Sequence, residues 1–259
     1  MRMALSPSVL QYKELLKNLV VRDLKVRYKR SILGVFWALL EPLVLMILFT
    51  VVFSFVLRIK VEKYPVFVLC GLLPWSFFST GLSYSSTSIA QHANLIKKIY
   101  FPREIIPLGI ILARLVNFLI SLGLLFIFIL IFRVRLTPSV LFLPLIIALQ
   151  LLLIVGLSLF FTSLNTFYHD VGFILEFILF GWFYVTPVFY PVSMVPERFL
   201  KFYMLNPMAV IVHSYRQVLL YGQVPNFGQL MIAALLIAVA FLIGWSVFRR
   251  LEYRFAEVL

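Results

Sequence analysis

The chain has 259 residues, 63% of them hydrophobic and only 13% charged, with a mean hydropathy of +1.05. A water-facing exterior needs polar coverage that this composition does not supply, so a soluble domain is excluded and lipid is the expected solvent. The net charge of +13 gathers at the ends of apolar runs, where it anchors against anionic headgroups, and nucleic acid is set aside as a partner.

Residues 8–30 read as an amphipathic helix in the interface plane. Tyr12, Leu15, Leu16, Leu19, Val20 and Leu24 follow the three-and-four spacing of one face, and Lys13, Lys17, Arg22, Lys25 and Lys29 fall mostly on the other. Asp23 lies near the apolar side, against the pattern. The apolar run that follows begins too late for a secretory signal. The basic block Arg22 to Arg30 in front of it predicts a cytoplasmic N-terminus.

Six runs are long and apolar enough to predict spans, at about 33–57, 64–88, 105–132, 139–163, 172–190 and 229–248. An even number of spans returns the C-terminus to the cytoplasm. The second run ends in STGLSYSSTS, which suits close helix packing or a wet lumen. Cys70, the lone cysteine, lies in the same run and reads as a packing residue, with no disulfide framework available. The segment 89–104 is too charged for lipid and reads as a connecting helix, and 165–171 reads as a brief connection between spans. Residues 191–228 hold Pro191, Pro196, Pro207 and Pro225. They are too broken for a span and fit short helices that dip into the membrane and return.

No Gly-x-x-x-x-Gly-Lys-Ser/Thr cradle is present, nor a Gly-x-Ser-x-Gly elbow, and His92, His169 and His213 lack metal-ligand spacing. The chain is therefore expected not to be an enzyme and to hold no metal or cofactor. Glu41, Arg114 and Glu176 fall inside spans, where an ionisable group is costly and needs a partner, an interface or water. A relay is one reading. A structural pair is the other, and the similar depth of Glu41 and Arg114 favours it. The aromatic clusters Phe36-Trp37, Trp75-Ser-Phe77-Phe78 and Trp182-Phe183-Tyr184 fit interfacial belts, or a conduit whose rings stack on sugars.

Four stretches together resemble one family, the membrane permease of type-2 ABC exporters in its polysaccharide and O-antigen branch, related to teichoic-acid exporters. They are RDLKVRYKRSILGVFWALLEPL (22–43), LIKKIYFPREIIPL (95–108), VTPVFYPVSMVP (185–196) and LNPMAVIVHSYR (205–216). The chain departs from the family in the short loop, where His169 rather than a basic residue precedes Asp170. The resemblance implies an all-α polytopic membrane protein of the bacterial cytoplasmic (inner) membrane, forming one transmembrane domain over 1–259. Six spans, an N-terminal interface helix, and re-entrant gate helices between the last two spans are implied, with Asn206, Pro207 and Arg216 in the outer gate.

The implied function is ATP-driven export of a lipid-linked polysaccharide, O-antigen-like, through a channel shared with a second copy. Two separate ATP-binding cassette subunits would hold ATP and Mg and push on Lys97, Lys98, Arg103, His169 and Asp170. Phe36, Trp37, Trp75 and Tyr184 become channel candidates. Teichoic acid, lipid or drug as cargo remains an alternative. So does a proton-coupled secondary transporter using Glu41, Arg114 and Glu176.

Overall fold

The computed structural model describes residues 12–28, 37–58, 61–98 and 101–259, and every regular element among them is helical. Helix α1 (Lys13–Tyr28) is followed by α2 (Trp37–Phe49), which widens into a π-helical stretch over Thr50–Val56. Then come α3 (Tyr64–Ser86), the short α4 (Ser88–Gln91) and α5 (Ala93–Lys98), and the long α6 (Ile105–Ile131). A 3₁₀ turn at Pro138–Phe142 leads into α7 (Leu143–Phe167), and α8 (Asp170–Val185) follows after a two-residue break. The chain closes with α9 (Glu197–Tyr203), α10 (Pro207–Leu219), α11 (Phe227–Leu251) and α12 (Phe255–Val258).

Among the described residues five stretches are long and apolar enough to cross a membrane: Leu39–Val56, Tyr64–Ser86, Ile105–Ile131, Pro138–Phe167 and Phe227–Arg254. The remaining run expected to span falls on α8. Its 16 residues rise roughly 24 Å, less than a hydrocarbon core of about 30 Å. The interface-helix reading extends at both ends beyond the described residues, and Phe36 and the start of the first expected span also lie outside them.

Helix α3 is the centre of the bundle. Of its apolar stretch 78% is buried, against 11–33% for the other four, because α2, α6, α7, α8 and α10 all pack on it. Pro74 inside α3 removes one helical N–H. A buried polar chain crosses at the same level: Tyr215 Oη donates to Gln150 Oε1 at 2.9 Å, and Gln150 Nε2 donates to the Pro74 carbonyl at 2.7 Å. The hydroxyl-rich end of α3 divides by position. Ser85, Ser86 and Ser88 are buried, and the carbonyls of Ser85 and Ser86 accept from Thr162 and Asn165 of α7. Ser76, Ser79 and Thr80 line open space. Close packing and the lining of an open groove thus share one helix.

A second apolar cluster sits at one end of the bundle, built on Ile89, Ile96, Phe101, Ile105, Ile106, Leu159, Phe248 and Phe255. Tyr12, Leu15, Leu16 and Leu19 of the α1 region pack against it, while Lys13, Lys17, Arg22 and Lys25 are exposed. The seat is close: a Cβ at Gly109 would lie 3.2 Å from Leu19 Cβ. At the other end the loops are tied by Lys63 Nζ to the Arg133 carbonyl (3.2 Å) and Thr137 Oγ1 to the Gly222 carbonyl (2.9 Å). Gly222 has φ +63, a left-handed conformation for which glycine carries no steric penalty.

Candidate functional site

An open groove of about 440 Å³ runs between α2, α3 and α8. One end carries Glu41, Ser76, Ser79, Thr80 and Glu176, and the other Phe49, Leu72, Phe183 and Tyr184, with Trp75 between. Glu41 precedes Phe49 by eight residues and Glu176 precedes Phe183 by seven, so the acids lie roughly 10–12 Å along the groove from the rings. Helical spacing produces this zoning: Glu41, Leu45 and Phe49 recur at four-residue steps on α2, and Glu176, Leu179, Phe180 and Phe183 at three and four on α8.

The aromatic end is a continuous cluster. Phe183 lies 5.6 Å from Trp75, 5.4 Å from Tyr184, 6.2 Å from Phe49 and 5.5 Å from Phe189, centroid to centroid. Phe49 stacks on Phe189 with only 3° between the planes, and Phe53, inside the π-helical stretch, meets Phe189 at 4.9 Å. Among the expected channel residues, Trp75 and Tyr184 line the groove; Trp37 is exposed and does not.

The three charges expected inside spans behave differently from one another. Arg114 is 5% exposed and pairs through Nη2 with Asp23 Oδ2 of α1 at 3.4 Å, its guanidinium lying 4.0 Å over the Tyr84 ring. Asp23 departs from the basic pattern of α1 because it faces this arginine. Glu41 and Arg114 both line a second, small cavity of about 40 Å³, large enough to hold water, yet they form no ion pair. Glu41 and Glu176 are exposed, line the large groove together, and have no ion-pair partner among the described residues. An unpaired carboxylate in an apolar span, as at Glu41, cannot face lipid cheaply, and both acids turn to the open groove.

At the end of the bundle where α1, α5 and α12 gather, Lys97 and Lys98 close α5 and are exposed, as are His169 and Asp170 at the α7–α8 break. Phe167, beside that break, packs on the same cluster as Leu95 and Ile96 of α5, so the two connecting segments occupy one end. Arg103 is half-buried. Its neighbour Glu104 is fully buried at the N-cap of α6 and accepts from Arg249 Nη2 at 2.7 Å, while Arg249 Nη1 donates to Glu252 at 3.0 Å. Burial pushes the Glu104 carboxyl above its ordinary range, and its own backbone hydrogen bond and the Arg249 guanidinium oppose that only in part. Sequence reading missed this clamp; its one visible signal is an acid beside the basic residues of a polar connection.

Arg216 is buried, Asn206 and Pro207 are half-buried, and none of the three lines the groove. Asn206 caps α10 by accepting from Met208 N at 3.0 Å, accepts from Trp182 Nε1 at 2.9 Å, and donates to Thr186 Oγ1 at 3.2 Å. Pro207 takes the first helical position, where its missing N–H is not needed. Arg216 is 1% exposed and donates to the carbonyls of Phe67 (3.2 Å), Val188 (2.6 Å) and Tyr190 (3.5 Å), 3.5 Å over the Phe67 ring. It has no carboxylate partner among the described residues. Together these residues hold the irregular backbone of 186–190 against α3 and α8. Among the described residues no group of three His, Cys, Asp or Glu is placed to hold a metal ion.

Known proteins are similar to this chain in sequence over most of its length. The model of the ABC-2 type transporter family matches residues 14–220. The chain is 33% identical over 249 residues to an O-antigen export system permease protein of Klebsiella pneumoniae, with 95% of each chain covered. It is 31% identical over 249 residues to the protein of that description from Myxococcus xanthus, covering 95% and 96%. Against a polysialic acid transport protein of Escherichia coli the identity is 24% over 241 residues, covering 90% and 92%. The chain is a multi-pass membrane protein and belongs to the ABC-2 type transporter family.

Proposed function

We propose that this chain is the permease of an ATP-driven exporter that carries a lipid-linked, O-antigen-like polysaccharide across the bacterial cytoplasmic membrane. The observation that carries the reading is the groove. Rings, hydroxyls and carboxylates converge there within a membrane bundle, and this is the chemistry that holds sugars: aromatic faces take C–H faces, and acids accept hydroxyl protons. The groove is open on one protomer, and a second copy closes it into a conduit. Relatives at 31–33% identity described as O-antigen export permeases support the same substrate class.

In this reading α8 is the fifth of six spans, α1 is the interface helix, and α9 and α10 with their flanking loops are the re-entrant gate between the last two spans, with both termini cytoplasmic. The chain itself holds no ATP or Mg; two separate ATP-binding subunits supply them and press on the end that carries Lys97, Lys98, His169 and Asp170. The Asp23–Arg114 pair then connects α1 to α6, so that motion of the interface helix pulls on the bundle.

Glu41 and Glu176 are also what a proton-coupled transporter would use. Reconstituting the chain with and without an ATP-binding partner, and collapsing the proton gradient, separates the two. Translocation is expected to need the ATPase and survive collapse; transport without the ATPase that dies with the gradient would overturn the exporter reading. The charge reversal Lys97→Glu with Lys98→Glu is expected to cut ATP-driven transport at least about tenfold by repelling the partner, with membrane insertion retained. Adding Arg103→Glu deepens the loss. Normal transport in these variants would remove the coupling assignment.

A further inference from the structure

We infer that the groove selects by charge: Glu41 and Glu176 make it a conduit for glycans with uncharged repeats and slow those that carry a carboxylate in every repeat. The inference rests on the export reading. It starts from the lining, which contains two carboxylates and no cationic residue among the described groove residues. The cation at similar depth, Arg114, faces the small neighbouring cavity and is already held by Asp23 at 3.4 Å, so that pair adds no net positive charge. A second copy brings two more carboxylates to the same level of the conduit.

Position along the groove matters as much as sign. The acids stand at the end that also carries Ser76, Ser79 and Thr80, ahead of the rings. A sugar repeat meets hydrogen-bond acceptors and hydroxyls there before it reaches the aromatic cluster. For a neutral repeat these groups replace water contacts and are favourable. For an anionic repeat the carboxylates repel, in a cleft whose apolar walls concentrate the field. Within a Debye length of about 8 Å at physiological salt, a polymer threading the groove is not screened from that repulsion. A polymer charged at every repeat meets it at every step.

The test uses the full permease with its ATP-binding partner in proteoliposomes. Two lipid-linked glycans of equal length serve as probes, one neutral and one with a single uronic acid per repeat. The measured quantity is the ratio of their ATP-dependent translocation rates. In the natural protein the neutral glycan is expected to move at least about tenfold faster at low salt. The ratio should fall several-fold in 1 M salt, where the Debye length is about 3 Å. It should fall towards one in the double variant Glu41→Gln, Glu176→Gln, and part of the way in each single variant. The salt arm needs no variant and so does not depend on one folding. Equal rates in the natural protein, or a ratio unmoved by both salt and the glutamines, overturns charge selection while leaving export standing. Translocation of neither glycan overturns the export reading, and the selection with it.

Discussion

Arg216→Ala is expected to remove most of the folded protein from the membrane, with a loss of about 3 kcal/mol or more. Its guanidinium is the partner of three carbonyls, those of Phe67, Val188 and Tyr190; the Phe67 carbonyl also accepts within α3, whereas that of the buried Val188 would be left unsatisfied. Unsatisfied buried acceptors cost about 1–3 kcal/mol each, while hydrogen bonds between membrane helices return about 0.6 kcal/mol on average; three bonds and the emptied volume lead to the figure given. Arg216→Lys supplies one donor group in place of a planar fork and should recover only part of the loss. Arg216→Met separates two causes. It fills the volume and removes a charge that is costly to bury but leaves the Val188 carbonyl bare. Thermal midpoints in detergent are expected to rank natural protein, Lys, Met, Ala in descending order. A Met variant as stable as the natural protein would show that the carbonyls do not need the guanidinium.

Gly244→Val is expected to do comparable damage through sterics alone. Helices α7 and α11 pack along more of their length than any other pair, and they touch backbone to backbone at Gly156 and Gly244. A Cβ at Gly244 would fall on the Gly156 carbonyl, and one at Gly156 would lie 2.5 Å from Phe241 Cα and 2.8 Å from Phe241 N. Backbone atoms inside two long helices cannot step aside singly, so the helices must part. With no hydrophobic drive between helices in lipid, that contact is the source of their affinity. Overpacking of this kind costs roughly 1–3 kcal/mol and occasionally more. Gly156→Ala should behave like Gly244→Val. Gly123→Ala is the control, because nothing lies within 4 Å of the new Cβ. It should leave the midpoint unchanged or raised, in line with helix propensity of about 1 kcal/mol. Protease susceptibility and chromatographic dispersity of the three variants check the ranking.

Much of the architecture was legible because the apolar runs are long and the breakers are local. Composition alone indicated the solvent, and run length marked six spans, of which five among the described residues are helices long and apolar enough to cross while the run on α8 is shorter. The π-helical stretch Thr50–Val56 carries no such signal, since its residues are the same apolar types as those before it. In the site, Trp75 and Tyr184 were readable as ring-bearing residues of the bundle and lie in the groove. Trp37 has the same chemistry, yet it is off the groove by its position on the helix. Asp23 was visible only as an exception on a basic helix, and the partner that explains it lies 91 positions away, at Arg114.

The sequence by itself determined that this chain is helical and lipid-embedded, that it ends its apolar runs in positive charge, and that it belongs with ABC-2 type permeases. Tertiary structure decided which faces meet. It placed Arg114 on Asp23, Glu104 on Arg249, and Glu41 with Glu176 on one open groove. It also buried Arg216 among carbonyls. The physical reason is the solvent: a water-soluble helix shows its inner face by an apolar stripe, but here lipid and core are equally apolar. The pattern therefore loses its inward direction. What remains to orient each helix is small residues, polar pairs and close backbone contacts between distant positions, and these take effect only when the helices are together.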